Sequence, residues 1–264
     1  MKENELKEEK HPMERSLTTP IAIGALLVGL LAPLAASAQQ SSAKDTETFS
    51  VSGSLAGNLT ATTDYRFRGV SRTFGDPALQ GGLDFTLPSN FYIGAWASTV
   101  DKQIFANSRG FELDIYGGYK WQLRQGLLLD VGLVQYLFPS ESEFSTLEAY
   151  VGVSYEWISA KYYHTLSNEY FGAGHAKDTQ YLDLGATYPL GNGLSAVGHV
   201  GFLRGQSGAR DYIDWRLGVT KDWRGFTFGA SYVDTDSDFE FTNRAGRTRD
   251  LGDGGFLLSV SKSF

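Results

Sequence analysis

Cysteine is absent from the 264 residues, so no disulfide framework holds this chain together. Long apolar runs are almost absent too. Only residues 21–36 are continuously apolar, and they contain Gly24, Gly29 and Pro33. That run falls short of the roughly 20 residues a spanning helix needs, which excludes a bundle of membrane helices. Positive charge is in deficit, with 23 Lys and Arg against 30 Asp and Glu for a net charge of -7. No basic stripe with interleaved aromatics appears, and nucleic-acid binding is excluded on that ground. Histidine is scarce: beside His11 there are only His164, His175 and His199, without metal-ligand spacing.

The one apolar run is followed by Ala36-Ser37-Ala38, a small-x-small site, so residues 1–38 read as a secretory signal peptide cleaved after Ala38. The acidic stretch before it is atypical of an exported n-region. Translation from Met13 removes most of that conflict, because Arg15 and the amino terminus then outweigh Glu14. Without residues 1–38 the chain carries -6. Residues 39–48 form a short polar lead-in, and residues 49–264 the folded domain.

What is present in that domain is a period of two. Phe49, Val51, Leu55 and Leu59 alternate with Ser50, Ser52, Ser54 and Asn58, and the segment runs on through Asp64, Arg66 and Arg68. Leu79, Leu83, Phe85 and Leu87 alternate with Gln80, Asp84 and Thr86. The third segment, FYIGAWASTV, is partly apolar on both parities and its faces stay unassigned. A fourth sets Phe111, Leu113, Ile115, Tyr119, Trp121 and Leu123 against Glu112, Asp114, Lys120 and Gln122. Further segments follow to the closing GFLLSVSKSF, for about twelve strands in all.

The connections decide the class. Short ones (Pro88-Ser89-Asn90, Arg124-Gln125-Gly126, the bend at Trp157-Ile158, Gly191-Asn192-Gly193, Arg224-Gly225) alternate with long polar ones. Short turns on one rim and long loops on the other are the stringing of a transmembrane antiparallel up-and-down β-barrel; a soluble sandwich has no reason to segregate loop length. Trp121, Trp157, Tyr188, Trp223, Phe264, Phe49 and Phe226 fall at the short-turn rim as an aromatic girdle. The fold class is therefore all-β, an outer-membrane barrel facing lipid and lipopolysaccharide. Its last strand turns an apolar face to lipid and serines to the lumen, and Lys262 lays its stem along the rim.

The stretch Tyr65-Arg66-Phe67-Arg68-Gly69-Val70-Ser71, with Thr73 and residues 75–82 behind it, resembles the opening signature of the TorF-type porins of proteobacteria. FYIGAWAS, ELDIYGGY, LDVGLVQYLFP, LEAYVGVSY and LSVSKSF resemble that family's later blocks in order, over nearly all of residues 49–264. Arg72-Thr73-Phe74 departs from the Gln-Thr-Asp pattern. The resemblance implies a barrel that conducts small solutes, and Phe264 resembles the end signal read by the barrel-assembly machinery. It assigns neither a solute nor functional residues.

Charges on the wet parity are the candidate pore lining: Asp64, Asp84, Glu112, Asp114, Asp130, Glu148, Glu156, Asp183 and Asp214, with Arg66, Arg68, Lys120, Lys161 and Arg216. Nine acids against five bases imply a mild preference for cations in a restricted, water-filled pore. Arg66 and Arg68 beside Asp64 read either as a constriction cluster or as an internal salt-bridge ladder. No cofactor motif is present. Asp234-Thr235-Asp236-Ser237-Asp238 fails as a helical calcium loop, since Phe239 and Ala245 stand where glycine and an acid belong. A barrel hydrolase would have to draw on His164, Ser167 and Asn168, but His164 and Ser167 fall on opposite faces of a strand. A structural or adhesive barrel with a closed lumen is the alternative to a porin.

Overall fold

The computed structural model describes residues 52–105, 110–139, 141–243 and 245–264. The expected signal segment, the lead-in, Phe49 and Val51 lie outside the described residues. The strands in chain order are β1 (Ser54–Thr62), β2 (Arg66–Phe67), β3 (Val70–Ser71), β4 (Ala78–Thr86), β5 (Phe91–Thr99) and β6 (Phe111–Arg124). Then come β7 (Leu127–Leu137), β8 (Thr146–Tyr155), β9 (Ile158–Thr165), β10 (Gln180–Gly191) and β11 (Leu194–Arg204). The rest are β12 (Tyr212–Trp223), β13 (Phe226–Thr235), β14 (Glu240–Thr242), β15 (Thr248–Asp250) and β16 (Gly255–Ser263).

Twelve of these form a closed antiparallel barrel in the order β1-β16-β13-β12-β11-β10-β9-β8-β7-β6-β5-β4. Closure is made by β16 against β1, with Thr62 opposite Ser259 and Asn58 opposite Ser263. In lipid an open edge would leave a row of backbone groups with no partner, at several kcal/mol each, and closure removes that edge. The seam extends to the last residue: Gly57 N–H donates to the Phe264 carbonyl at 2.8 Å, and Phe264 N–H to the Gly57 carbonyl at 3.0 Å. The Phe264 ring lies where a Cβ on residue 57 would sit, so a larger residue there would have to displace the ring.

The outer surface carries the apolar parity. Phe256 is 81% exposed, Leu55 67% and Leu217 64%, in a belt running round every strand. In water so large a patch would drive aggregation; against acyl chains it is the solvated state. The aromatic girdle stands at the short-turn rim, where Trp121, Trp157, Tyr188, Trp223, Phe226 and Phe264 are all exposed. Lys262 there sets its Nζ 5.2 Å from the Phe226 ring centroid. This is an outer-membrane barrel, with its short turns periplasmic and its long loops outside.

The third segment, ambiguous in sequence, resolves in β5: Phe91 and Ile93 face outward, while Tyr92 and Ser98 are buried inside. Its inward side is apolar because it packs against other rings in the lumen, where Trp96 meets Tyr65 at 5.4 Å between centroids. Tyrosines line the inner wall with their phenol ends packed against glycines of the neighbouring strand, Tyr116 on Gly94, Tyr150 on Gly132 and Tyr181 on Gly201. A side chain at any of those glycines would collide with the ring.

Candidate functional site in the barrel lumen

The long connection after β1 does not rise away from the barrel. It folds inward as a small hairpin, β2 against β3, whose turn residues Arg68 (φ 49°) and Gly69 (φ 82°) both have positive φ, as a two-residue hairpin turn requires. Asp64 staples its base. It accepts from Arg66 Nε at 2.5 Å, Ser71 Oγ at 2.6 Å and Thr73 Oγ1 at 2.7 Å. Asp64, Arg66 and Arg68 were expected on the wet face of the first strand. They belong to this hairpin instead, because β1 ends at Thr62 and the Asp64 bonds turn the chain.

The hairpin crosses the lumen. Arg68 reaches Glu148 on β8 with two parallel bonds of 2.9 and 2.7 Å, and its Nη1 also donates to Tyr170 Oη at 3.0 Å. Its guanidinium carbon stands 4.2 Å from the Tyr181 ring centroid and 5.0 Å from that of Tyr163. Burial alone would weaken the hold of Arg68 on its proton, but the Glu148 carboxylate more than offsets this and raises its pKa above the ordinary arginine value. Burial raises the Tyr170 phenol likewise, so it stays neutral as an acceptor. Gly69 presses against Asp214 of β12, and Phe67 packs on Tyr136 of β7 at 5.4 Å.

Above the hairpin the long connections, read from sequence as polar, contribute an aromatic cap. Phe105 stacks on Phe138 at 4.6 Å, and Phe144 and Phe171 join them. Arg72 sits among these rings, 4.5 Å from Phe171 and 4.7 Å from Phe67. This residue, at the point where the sequence departs from the TorF-type pattern, was not among the expected lining residues. The available signal was the phenylalanines placed inside loops.

Below the hairpin a cavity of about 440 Å³ extends to the short-turn rim, between Arg66, Arg68 and Gly69 at the top and Leu128, Glu156 and Thr227 at the bottom. One wall carries a ladder of alternating sign. Asp130 takes Lys161 at 3.2 Å and the Tyr92 hydroxyl at 2.6 Å. His199 bridges Asp183 at 3.0 Å and Asp214 at 2.7 Å, and Asp214 also accepts from Tyr181 at 3.0 Å. Arg216 lies beside Asp183 and Asp214 without a direct ion pair among the described residues. Sequence spacing did not reveal the His199 bridge, since its partners come from the strands on either side. Asp84 accepts from Tyr116 at 2.7 Å, and Lys120 stands over the Tyr92 ring at 4.5 Å. Glu112 is wholly buried near Tyr65 and Arg72. Asp114 is buried beside it, with Oδ1 unpartnered among the described residues.

Glu156 stands apart from the rest. β8 stops at Tyr155, and the turn is Glu156-Trp157 with Glu156 at φ 51°, so its side chain is at the rim and exposed. His164 and Ser167 are each engaged elsewhere: His164 Nε2 with Asp178 at 3.0 Å, Ser167 Oγ with the Glu169 carbonyl at 2.7 Å.

Comparison with solved structures finds the same barrel in porins. The KdgM porin matches with TM-score 0.52 at 8% identity, over 79% of this chain and 99% of that one. The NanC porin matches with TM-score 0.50 at 11% identity, over 79% and 99%. One KdgM structure is described as a complex with disordered oligogalacturonate. A search among curated proteins finds no match. At these identities the likeness is one of fold, and the porin-like barrel implied by the TorF-type resemblance holds at that level. Residues 43–264 match the family model described as a bacterial protein of unknown function, Gcw_chp, and the chain belongs to that family.

Proposed function

We propose that the barrel is an outer-membrane diffusion channel of the TorF-type porin class, held closed at its outer end by the segment 63–77 and admitting small hydrophilic solutes when that segment leaves the lumen. The observation that carries this reading is the cavity, with charged side chains along its wall, which runs from the periplasmic rim to the Arg68 hairpin and stops there. Twelve strands leave room for a restricted pore: about eight are filled by side chains and about sixteen leave an open channel. A preference for cations is part of the proposal, and it is weak. Around the cavity five carboxylates (Asp64, Asp114, Glu156, Asp183, Asp214) face four Arg and Lys cations (Arg66, Arg68, Lys161, Arg216) and His199, which bridges two of the carboxylates, so the lining is close to balanced. Such a lining does not favour a polyanion of the kind bound in the KdgM complex. Phe264, paired into the seam, serves as the assembly signal.

The buried Arg68–Glu148 pair favours a second reading, a structural barrel whose lumen stays shut. Single-channel recording in planar bilayers separates the two. The channel reading expects brief, low-amplitude openings that become frequent when Arg68 is replaced. Silence in the wild type and in every hairpin variant would leave the structural barrel.

A further inference from the structure

At the short-turn end, the charged side chains that turn outward from the described strands are all basic, and two of them share one sector of the barrel. Lys221 on β12 has the outward parity of Leu217, Val219 and Trp223, and Lys262 on β16 has that of Phe256 and Leu258. Both lysines are exposed. Between them runs β13, where Phe228 is paired with Lys221 on one side and with Val260 on the other. At the usual strand spacing the β12 and β16 backbones stand about 10 Å apart, so two lysine side chains can reach one group between them. Arg224, in the turn from β12 to β13, is the third exposed cation of this sector.

Each of the three is held at the rim by a neighbour. Lys221 Nζ donates to the Asn192 carbonyl in the turn between β10 and β11. Lys262 Nζ stands over the Phe226 ring at 5.2 Å from its centroid, and the Arg224 guanidinium carbon over that of Trp223 at 4.8 Å. None of the three has an ion pair among the described residues. The anions at this end are directed elsewhere: Asp222 has the inward parity and accepts from Thr227 Oγ1 at 2.6 Å, and the carboxyl group of Phe264 lies in the seam, an oxygen accepting from Gly57 N–H at 2.8 Å. The far side of the rim is different. There Arg124, on a strand six places round the ring, stands over the Tyr155 ring at 5.5 Å with the acid Glu156 in the adjoining turn.

We infer that the sector β12, β13 and β16 binds one anionic phospholipid of the periplasmic leaflet, its phosphate held among Lys221, Arg224 and Lys262 and an acyl chain along Val219, Ala230 and Leu258. Trp223 and Phe226 belong to the girdle, which sets the three cations at headgroup depth. Register puts Val219, Ala230 and Leu258 side by side, and the small Ala230 in the middle makes a shallow furrow running down from the cations. A zwitterionic lipid offers the same phosphate, but its ammonium is repelled by the same three groups. Lipopolysaccharide is a lipid of the other leaflet and meets the opposite rim.

The inference holds whether or not the lumen conducts. The barrel, purified in detergent and freed of lipid, would be titrated with dioleoylphosphatidylglycerol and with dioleoylphosphatidylethanolamine, and the bound lipid counted by native mass spectrometry. A basic residue near an anionic headgroup contributes roughly fivefold, so the first phosphatidylglycerol should bind at least about tenfold more tightly than phosphatidylethanolamine. Lys221→Gln, Arg224→Gln and Lys262→Gln should each weaken phosphatidylglycerol about fivefold and leave phosphatidylethanolamine unchanged. Arg124→Gln should alter neither. Equal binding of the two lipids by the wild type would overturn the proposal. So would a preference for phosphatidylglycerol that survives the triple variant, or one that falls as far in Arg124→Gln. Glycerol 3-phosphate at the same concentration should not displace the lipid; displacement would show that the rim reads a soluble anion and would overturn the choice of a lipid. Heat-modifiable mobility would establish folding of each variant, and should one fail to fold, the wild-type order of the two lipids decides alone.

Discussion

Replacing Arg68 with alanine removes both bonds to Glu148 and leaves that carboxylate, whose side chain is 1% exposed, with only Thr165 Oγ1 at 3.3 Å as a polar contact among the described residues. Breaking a buried ion pair from one side costs about 3 to 5 kcal/mol, because the remaining charge is neither paired nor hydrated. The penalty falls on the closed state. Once the hairpin leaves, Glu148 faces water in the lumen and is relieved. The lost ring contacts with Tyr181 and Tyr163 add roughly 0.5 to 2 kcal/mol in the same direction. A shift of about 3 kcal/mol moves a closed–open equilibrium by roughly 150-fold. The Asp64 staple and the Arg66 bond to the Gly69 carbonyl at 3.1 Å still hold the hairpin together, so it moves as a unit and does not unravel, while the Arg66 bonds that tether it to the Leu251 and Asp253 carbonyls are the same in wild type and variant. Open probability in planar bilayers should therefore rise by about two orders of magnitude in Arg68→Ala, and comparably in Glu148→Ala, which strands the arginine instead. The double variant leaves no unpaired charge, so its open probability should fall between the wild type and either single variant. Normal heat-modifiable mobility would establish that each variant is folded. A folded Arg68→Ala barrel with wild-type gating would refute the role of the pair, and a double variant as open as the singles would show that the unpaired charge is not the cause.

Mass spectrometry of the membrane form should place Gln39 at the N-terminus, following cleavage after Ala38; an intact leader would reject that site. Deleting Phe264 removes two seam hydrogen bonds, about 1 kcal/mol each, and a ring worth about 1.5 to 3 kcal/mol at most. Detergent refolding should survive that loss while the amount assembled in cells drops, and equal losses in both settings would assign the residue to packing alone. Reversal potentials under a potassium chloride gradient should show weak cation preference, stronger at low salt and in Arg216→Gln, because screening acts over about 10 Å at 0.1 M; anion preference would refute the charge assignment. Leu217→Arg places a charge on the lipid face and should cost about 2 to 4 kcal/mol of bilayer stability if the residue lies near the midplane. Unchanged denaturant midpoints in lipid vesicles would contradict its placement.

Much of the barrel was legible because its causes are local. Alternation along Phe111 to Leu123 and along Gly255 to Phe264 reports which side chains meet lipid, and that parity is the same whatever the strand's neighbours are. Loop length reports the rim in the same local way. FYIGAWASTV was not legible, since Tyr92 and Trp96 face inward yet are aromatic, and a lumen filled with rings has no hydropathy contrast with lipid.

The sequence by itself determined the class, the strand count, the outward face and the rim bearing the girdle, since each follows from spacing within a few residues. Only the tertiary structure decided what the inward charges do. Arg68 and Glu148 stand 80 residues apart and meet because a hairpin turn at Arg68-Gly69 sends the loop into the barrel. Asp183 and Asp214 share His199 because β10 and β12 flank β11. A charge on the wet parity reads the same in sequence whether it faces water, a partner across the lumen or nothing at all. Closure of the ring gives Arg68 its partner and leaves Asp114 Oδ1 without one among the described residues, because closure sets the distances that decide pairing.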